Sequence, residues 1–392
     1  MRLVTFRPVA GGDAGAPDHR TPDDRVAVLV GGGLVPLIAL AQLTPSLDAN
    51  FGRMDLASLI ARDPDFSRIR EALTRANPDL LKAAVLAPAD IRLGSPIPRP
   101  GKVIGVGYNY LDHIREQGLE RPVRPVLFSM FANALTADGE PIRHPAGTHA
   151  LDLEAELAVV IGRRASRVSP ADGLSHVAGY TAANDVTARD WQGQARALGP
   201  GEKGDGQWLR AKSSDTFLPL GPVLVTADEL GDGRGLAVRS WRMAAAGPGA
   251  TGEATGEATA AGPHSATAAV SAFPMQDGNT SDLLFGVAEL ISIISQEISL
   301  EPGDVIVTGT PRGVGVFRDP QIFLQPGDLV RVEVERIGTL TNPITDEEGN
   351  APAGSPAARF MADRPVSILG SPSDGAGTGK AFLGRNRGGG RQ

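Results

Sequence analysis

The chain of 392 residues contains no cysteine. That absence removes disulfides, thiolate zinc sites and thiol nucleophiles together, so any catalysis has to use oxygen, nitrogen or a bound ion. It leaves the redox compartment open. No apolar run approaches the length of about 18 residues that a membrane span requires, and the opening MRLVTFRPVAGGD lacks the apolar core of a signal peptide. A cytoplasmic protein without membrane contact is expected. Positive charge is also in deficit: 38 Lys and Arg stand against 45 Asp and Glu, a net charge of -7, which argues against a polyanionic partner such as nucleic acid. What is present is ordinary for a globular protein, in a chain long enough for two domains or one large decorated domain.

The first 98 residues read as a small N-terminal domain. Arg25 to Val30 is a short strand, and after the GGG turn the run Leu34 to Leu40 would complete a hairpin. Helices are expected over Asp55 to Ala61 and Asp65 to Ala76. The second begins behind Pro64, sets Phe66, Ile69 and Leu73 on one face, and ends at Asn77-Pro78. The segment GSPIPRPG, residues 94–101, is a stiff proline-rich connector, and the domain boundary is placed there.

From Lys102 strand signals dominate. KVIGVG, ELAVVIG, GPVLVT, DVIVTGT and LVRVEVERIG are short, β-branched and bounded by Gly, Pro or Asp. In the last, Val330, Val332 and Val334 face a core while Arg331, Glu333 and Glu335 face water. One helix interrupts them, with Leu283, Leu284, Val287, Leu290, Ile291 and Ile294 at a 3.6-residue period behind the polar starter Thr280-Ser281-Asp282. Residues 244–270, nearly all Ala, Gly, Thr and Ser, and the tail 346–392 cannot bury enough apolar surface to offset their ordering, and both are expected to be disordered.

The chemistry begins at LDLEAELAVVIG, residues 151–162, read as a strand on which Asp152, Glu154 and Glu156 recur at period two and share a face. Carboxylates about 7 Å apart with no Lys or Arg between them repel, so something positive should be near. An isolated E-x-E is more often the solvent face of an edge strand. Downstream, however, Asp185 follows a run, GYTAAN, too polar for a simple core strand. Glu154, Glu156 and Asp185, without Cys or His at ligand spacing, suit a hard oxygen-liganded ion, Mg²⁺ or Mn²⁺ before Ca²⁺, rather than zinc. In GVGYNYLDHIRE, residues 105–116, a strand runs through a Gly turn into a helix on which His113 and Glu116 share a face. That pair is either an exposed ion pair or a carboxylate orienting an imidazole as general base. KSSDTFLPLGP and GDVIVTGTPRGVG put a Lys and a Thr-Pro turn beside strand ends. Neither is a dinucleotide or phosphate-loop fingerprint, since no G-x-G-x-x-G opens a helix and GTPRGVG lacks GK[ST].

Taken in order, KVIGVGYNYLDHIRE, DLEAELAVVIG, GYTAANDVTARDWQ, KSSDTFLPLGP, QDGNTSDLLF, LEPGDVIVTGTPRGVG and LQPGDLVRVEVERIG resemble the fumarylacetoacetate hydrolase superfamily over residues 102 to about 343. The resemblance implies a β-rich α+β fold, a mixed β-sandwich roll with a small N-terminal α+β domain, usually in a homodimer. It implies a divalent metal held by Glu154, Glu156 and Asp185, and a small oxo acid or diketone as substrate. Lys212 matches the lysine between metal shell and substrate, Gln192 the glutamine donating to substrate oxygens, and Thr310 a substrate-binding position. His113 and Glu116 match the lid-helix pair that activates water. Two positions depart from the pattern: Tyr108 stands where pyruvate hydrolases tend to carry Arg, and Met130 where many relatives place Lys. Both remove a cation from the anion-binding side, so a less charged substrate becomes the better fit. The activity implied is hydrolysis of a C–C bond in a 1,3-diketone or acylpyruvate, in the catabolism of aromatic compounds. Isomerisation or decarboxylation of a hydroxymuconate- or oxaloacetate-like acid on the same site is the alternative, and a non-catalytic dimeric binding protein a third reading. Asp152 is placed behind the ligands rather than among them.

Overall fold

The computed structural model describes residues 1–8, 24–87, 90–204, 206–244 and 271–363, and the statements below concern these. The expected disorder of 245–270 lies outside them, as does residues 364–392 of the tail. The part of the tail that is described contains a helix, Pro356–Asp363, whose Pro356 and Ala357 are buried. Disorder therefore does not extend over all of 346–392: Ala357 N donates to the Gly327 carbonyl, which ties this helix to the body of the fold.

Apolar alternation draws the first residues into a strand, Arg2–Pro8, whose Leu3, Val4 and Phe6 are buried. It pairs with Arg25–Val30 on one side and with Leu218–Thr226 on the other, with Arg2 opposite Val225. The main sheet thus crosses the boundary placed at 94–101. In spatial order it runs Gly33–Pro36, Arg25–Val30, Arg2–Pro8, Leu218–Thr226, Val177–Asn184, Ala155–Ile161, Val305–Val307, Val103–Gly107 and Val126–Met130. Ile91–Leu93 and Leu135–Thr136 pair off this path and bring it to eleven strands. A second, five-stranded sheet is ordered Ser271–Asn279, Ala237–Ala244, Leu329–Val334, Gly338–Thr345 and Ile142–Arg143. Leu157, Tyr180 and Val223 of the first sheet share one buried cluster with Val238, Val332 and Leu340 of the second, which makes the body a sandwich. Val330, Val332 and Val334 face inward as the alternation predicts.

Several boundaries differ from the sequence reading, each for a local reason. The run 34–40 is half strand and half helix, because Pro36 ends Gly33–Pro36 and stands as N-cap of Leu37–Leu43. The second N-terminal helix starts at Ser67, where Asp63 accepts from the N–H groups of Ser67 and Arg68. Asn77 ends that helix and caps a further one, Pro78–Ala83. The helix expected from residue 280 starts at Val287, since the N–H groups of Leu284 and Phe285 are taken by the carbonyl and side chain of Asn109. GYTAAN belongs to a fully buried central strand. Two of its hydroxyls are satisfied inside the fold, Tyr180 on the Gly231 carbonyl and Thr181 on the Gly221 carbonyl, while Asn184 Nδ2 is buried without a partner.

Ala237–Ala244 and Ser271–Asn279 pair antiparallel up to Ala244 opposite Ser271. Deleting residues 247–266 leaves 245–246 and 267–270 to turn this hairpin. Loop entropy grows only logarithmically with length, so the deletion should leave the melting temperature unchanged or raise it by about 2 °C, with activity retained. Loss of either in a thermal melt and turnover assay would show that the segment does more than connect.

Candidate active site

Two central strands bring the acids together. Ala155–Ile161 pairs with Val177–Asn184 so that Ala155 lies opposite Asn184, which sets Glu156 and Asp185 beside the same strand ends. The strand expected over 151–162 is interrupted. Leu151–Asp152 pairs with Thr187–Ala188, and the Glu154 N–H donates to Asn184 Oδ1 at 3.0 Å before Ala155–Ile161 begins. The interruption separates the acids by role. Glu154, Glu156 and Asp185 each offer an oxygen within 4.8 Å of the others. Asp152 instead accepts from Arg189 Nε at 2.9 Å and from the N–H groups of Gly315 and Val316. All four carboxylates are buried, which rules out the solvent face of an edge strand.

The positive charge demanded by this cluster comes from Lys212, at the end of the short helix Trp208–Lys212, and from Arg189. Lys212 Nζ donates to Glu154 Oε2 at 2.8 Å, Asp185 Oδ2 at 2.7 Å and Thr187 Oγ1 at 2.7 Å. All three of its protons are thereby engaged within the protein. Arg189 Nη1 lies 2.7 Å from Glu154 Oε1 and 3.2 Å from Gln192 Oε1, and its Nη2 is buried without a partner. Arg189 escaped the sequence reading although it stands in the quoted phrase, four residues beyond Asp185. A cation in a carboxylate-rich phrase is the signal that could have found it.

Burial pushes Glu154 up, but Lys212 and Arg189 outweigh it and hold the carboxyl at about 2. For Asp185 burial dominates over Lys212, with Glu154 adding to it, and the carboxyl is pushed up to about 7. Glu156 is raised well above the usual range by burial and by its two acidic neighbours. Burial lowers Lys212, yet Asp185 and Glu154 prevail and keep its ammonium above its ordinary value.

This donor set fits a hard divalent cation. Three carboxylates converge, and Asp185 Oδ1 is buried with no hydrogen-bond partner. In the cation-free protein, Asp185 contributes stability that is full below about pH 4 and is lost as pH rises through about 7. Glu154 contributes above 4.5 and loses its contribution as pH falls towards about 2. Chelated protein should therefore melt higher at about pH 5 than at about pH 8, and Mg²⁺ should raise the melting temperature more at the higher pH, where protons no longer compete. Scanning fluorimetry with EDTA or Mg²⁺ at both pH values checks this. A larger Mg²⁺ shift at the lower pH would count against the assignment.

His113 and Glu116 occupy the helix Leu111–Glu116, where His113 Nδ1 lies 2.9 Å from Glu116 Oε2. The pair is not exposed: His113 and Glu116 are 8% and 12% accessible, and His113 lines the same cavity of about 140 Å³ as Glu154, Glu156 and Asp185. Glu116 also accepts from the Gly313 N–H, and Phe317 stands edge-on to the imidazole with centroids 5.7 Å apart. Tyr108, Gln192, Lys212 and Thr310 line this cavity as well. The Thr310 hydroxyl donates to the Ala155 carbonyl and accepts from Gln276 Nε2, a residue absent from the sequence reading. Of the nine residues given catalytic, binding or ligand roles from the sequence, eight line one pocket, and Glu116 stands behind His113.

The family model for the fumarylacetoacetate (FAA) hydrolase C-terminal domain matches residues 102–345, more than half of the chain. The chain belongs to the fumarylacetoacetate hydrolase family. This family member is 38% identical over 344 residues, 88% of its length and 91% of the relative's, to oxaloacetate tautomerase FAHD2A, mitochondrial, of Bos taurus. It is 35% identical over the same length to the Homo sapiens protein of that name. Those names place the relatives in mitochondria, where the sequence reading expected a cytoplasmic protein. Among solved structures it resembles the fumarylacetoacetate hydrolase of Exiguobacterium antarcticum at 30% identity and a TM-score of 0.63, covering 88% of this chain and 99% of that one. It also resembles 5-carboxymethyl-2-hydroxymuconate delta-isomerase of Mycobacterium smegmatis at 29% identity and a TM-score of 0.55, with the same coverage. The expected α+β fold is that of the family, and the relatives named above are enzymes. The relatives' names favour isomerisation, the alternative in the sequence reading, over hydrolysis. Among the described residues no helix is long and apolar enough to cross a membrane.

Proposed function

We propose that the protein interconverts the keto and enol forms of a small 2-oxo acid, with Mg²⁺ or Mn²⁺ held by Glu154, Glu156 and Asp185. The observation that carries this reading is His113, buried in the wall of the carboxylate pocket with Glu116 behind it, a candidate base beside the ion site. Likeness along nearly the whole chain to proteins named as oxaloacetate tautomerases supports it. A bound divalent cation would polarise the oxo group and so acidify the neighbouring C–H. His113 takes a proton from that carbon, the C–H electron pair becomes the C=C bond, the C=O π pair moves to the oxygen, and that oxygen acquires a proton from solvent to give the enol. The reverse sequence returns the keto form. Glu116 fixes the imidazole and stabilises its protonated state. Gln192, whose Oε1 is held by Arg189, keeps its amide N–H groups for a substrate oxygen. Lys212, with its protons engaged, sets the charge of the carboxylate floor. A homodimer is our expectation for the assembly.

The test follows the enol absorbance of oxaloacetate with Mg²⁺, Mn²⁺ or chelator and identifies the product by mass. Faster decay with unchanged mass is expected. Cleavage products would select hydrolysis instead, and carbon dioxide would select decarboxylation.

A further inference from the structure

Beside its carboxylate floor the pocket has one aromatic wall. Tyr108 meets Trp208 edge-on with centroids 5.8 Å apart, and Trp208 meets Phe128 at 5.3 Å, so three rings form one tier of the wall. The backbone is built to seat them. A Cβ at Gly105 would stand 2.0 Å from the Phe128 ring, and one at Gly107 would stand 3.1 Å from the Trp208 ring. Glycine at 105 is what leaves room for the Phe128 ring, and at 107 a Cβ would crowd Trp208. Tyr108 follows with φ at +53°, a conformation side-chain-bearing residues rarely adopt, and such strain gathers at ligand sites. Burial and Glu154 hold its phenol above the usual range, so the tier stays uncharged.

Charge points the same way. The pocket-lining Lys and Arg side chains are Lys212 and Arg189. Lys212 has no proton to spare, and Arg189 Nε and Nη1 are bonded to Asp152, Glu154 and Gln192, which leaves Nη2 as the donor in reserve. One carboxylate can be matched by that donor, and no second cation among the pocket-lining side chains is left for another. Met130, at the other position where a cation was looked for, is buried and does not line the pocket.

We infer that the substrate is a 2-oxo monocarboxylic acid with a flat, uncharged aryl substituent on the reacting carbon, an arylpyruvate whose enol is conjugated with its ring. This rests on the tautomerase reading and names its substrate class. The ring lies against Tyr108, Trp208 and Phe128, and the oxo acid end faces the carboxylates.

The experiment compares enol-to-ketone conversion of phenylpyruvate and oxaloacetate, each above its buffer rate at saturating Mg²⁺. A kcat/KM about 10-fold or more in favour of phenylpyruvate is expected, the worth of a well-filled apolar subsite. Tyr108→Arg should lower the phenylpyruvate value and raise that for oxaloacetate. Phenylacetate, which carries the ring and has no oxo group, should quench tryptophan fluorescence in the wild type, and Trp208→Phe should remove the quench. Preference for oxaloacetate with no phenylacetate quench would overturn the inference and leave the tautomerase reading standing. Turnover of neither acid would overturn that reading and the substrate class with it, and the quench would then show whether a ring is held at all.

Discussion

Replacing Lys212 with Met should destabilise the chelated protein by about 3–5 kcal/mol, the usual cost of removing one partner from a buried ion pair. The lysine is 2% accessible and neutralises Glu154 and Asp185 directly. Methionine fills similar volume, so the loss reports charge rather than packing. The stranded carboxylates would take up protons, and Arg189 would keep only Glu154 paired. Because the substitution also removes a cation that repels a divalent ion, Mg²⁺ should restore more stability to the variant than to the wild type. Urea titrations with EDTA and with Mg²⁺ decide the matter. A variant within about 1 kcal/mol of wild type in EDTA would show that the lysine does not neutralise the floor.

His113→Ala should lower tautomerisation by roughly 10²–10⁴-fold, the range of a general base, without changing Mg²⁺ affinity. The two readouts separate because the imidazole is no member of the carboxylate triad. Glu116→Gln should lose less, since an amide oxygen can still hold the imidazole and the Gly313 N–H, the two partners of Glu116. What it gives up is the charge that steadies the imidazolium. Full activity in His113→Ala at saturating Mg²⁺ would remove the base from the proposed function, and calorimetry with Mg²⁺ would show whether the pocket itself had been disturbed.

The acids, the base pair and the lysine were legible because each sits in a short phrase whose residue types make sense only together. Spacing of two brought Glu154 and Glu156 together as a candidate pair, although Glu154 lies just before the strand Ala155–Ile161, and position three on a helix put His113 beside Glu116. What local patterns could not reveal is who pays for a polar group elsewhere in the chain. Asn109 decides where the helix Val287–Glu297 begins, and Gly231 and Gly221 carbonyls make a polar-looking run a core strand. The break at Glu154 depends on Asn184, a residue on the neighbouring strand. The aromatic tier was hidden for the same reason: Phe128 and Trp208 meet only across the space opened by Gly105 and Gly107.

The pairing of Arg2–Pro8 with Leu218–Thr226 has a consequence for the newborn chain. Arg2 finds Val225 only after residue 225 has been made, a wait of roughly 10–40 s at synthesis rates of about 5–20 residues per second. Through that interval Arg25–Val30 flanks one side of the strand and Ile91–Leu93 covers Phe6 to Pro8 on the other, so that the Arg2–Leu3 end of that side stays open. The main sheet thus closes late, when Leu218–Thr226 joins a strand made long before it.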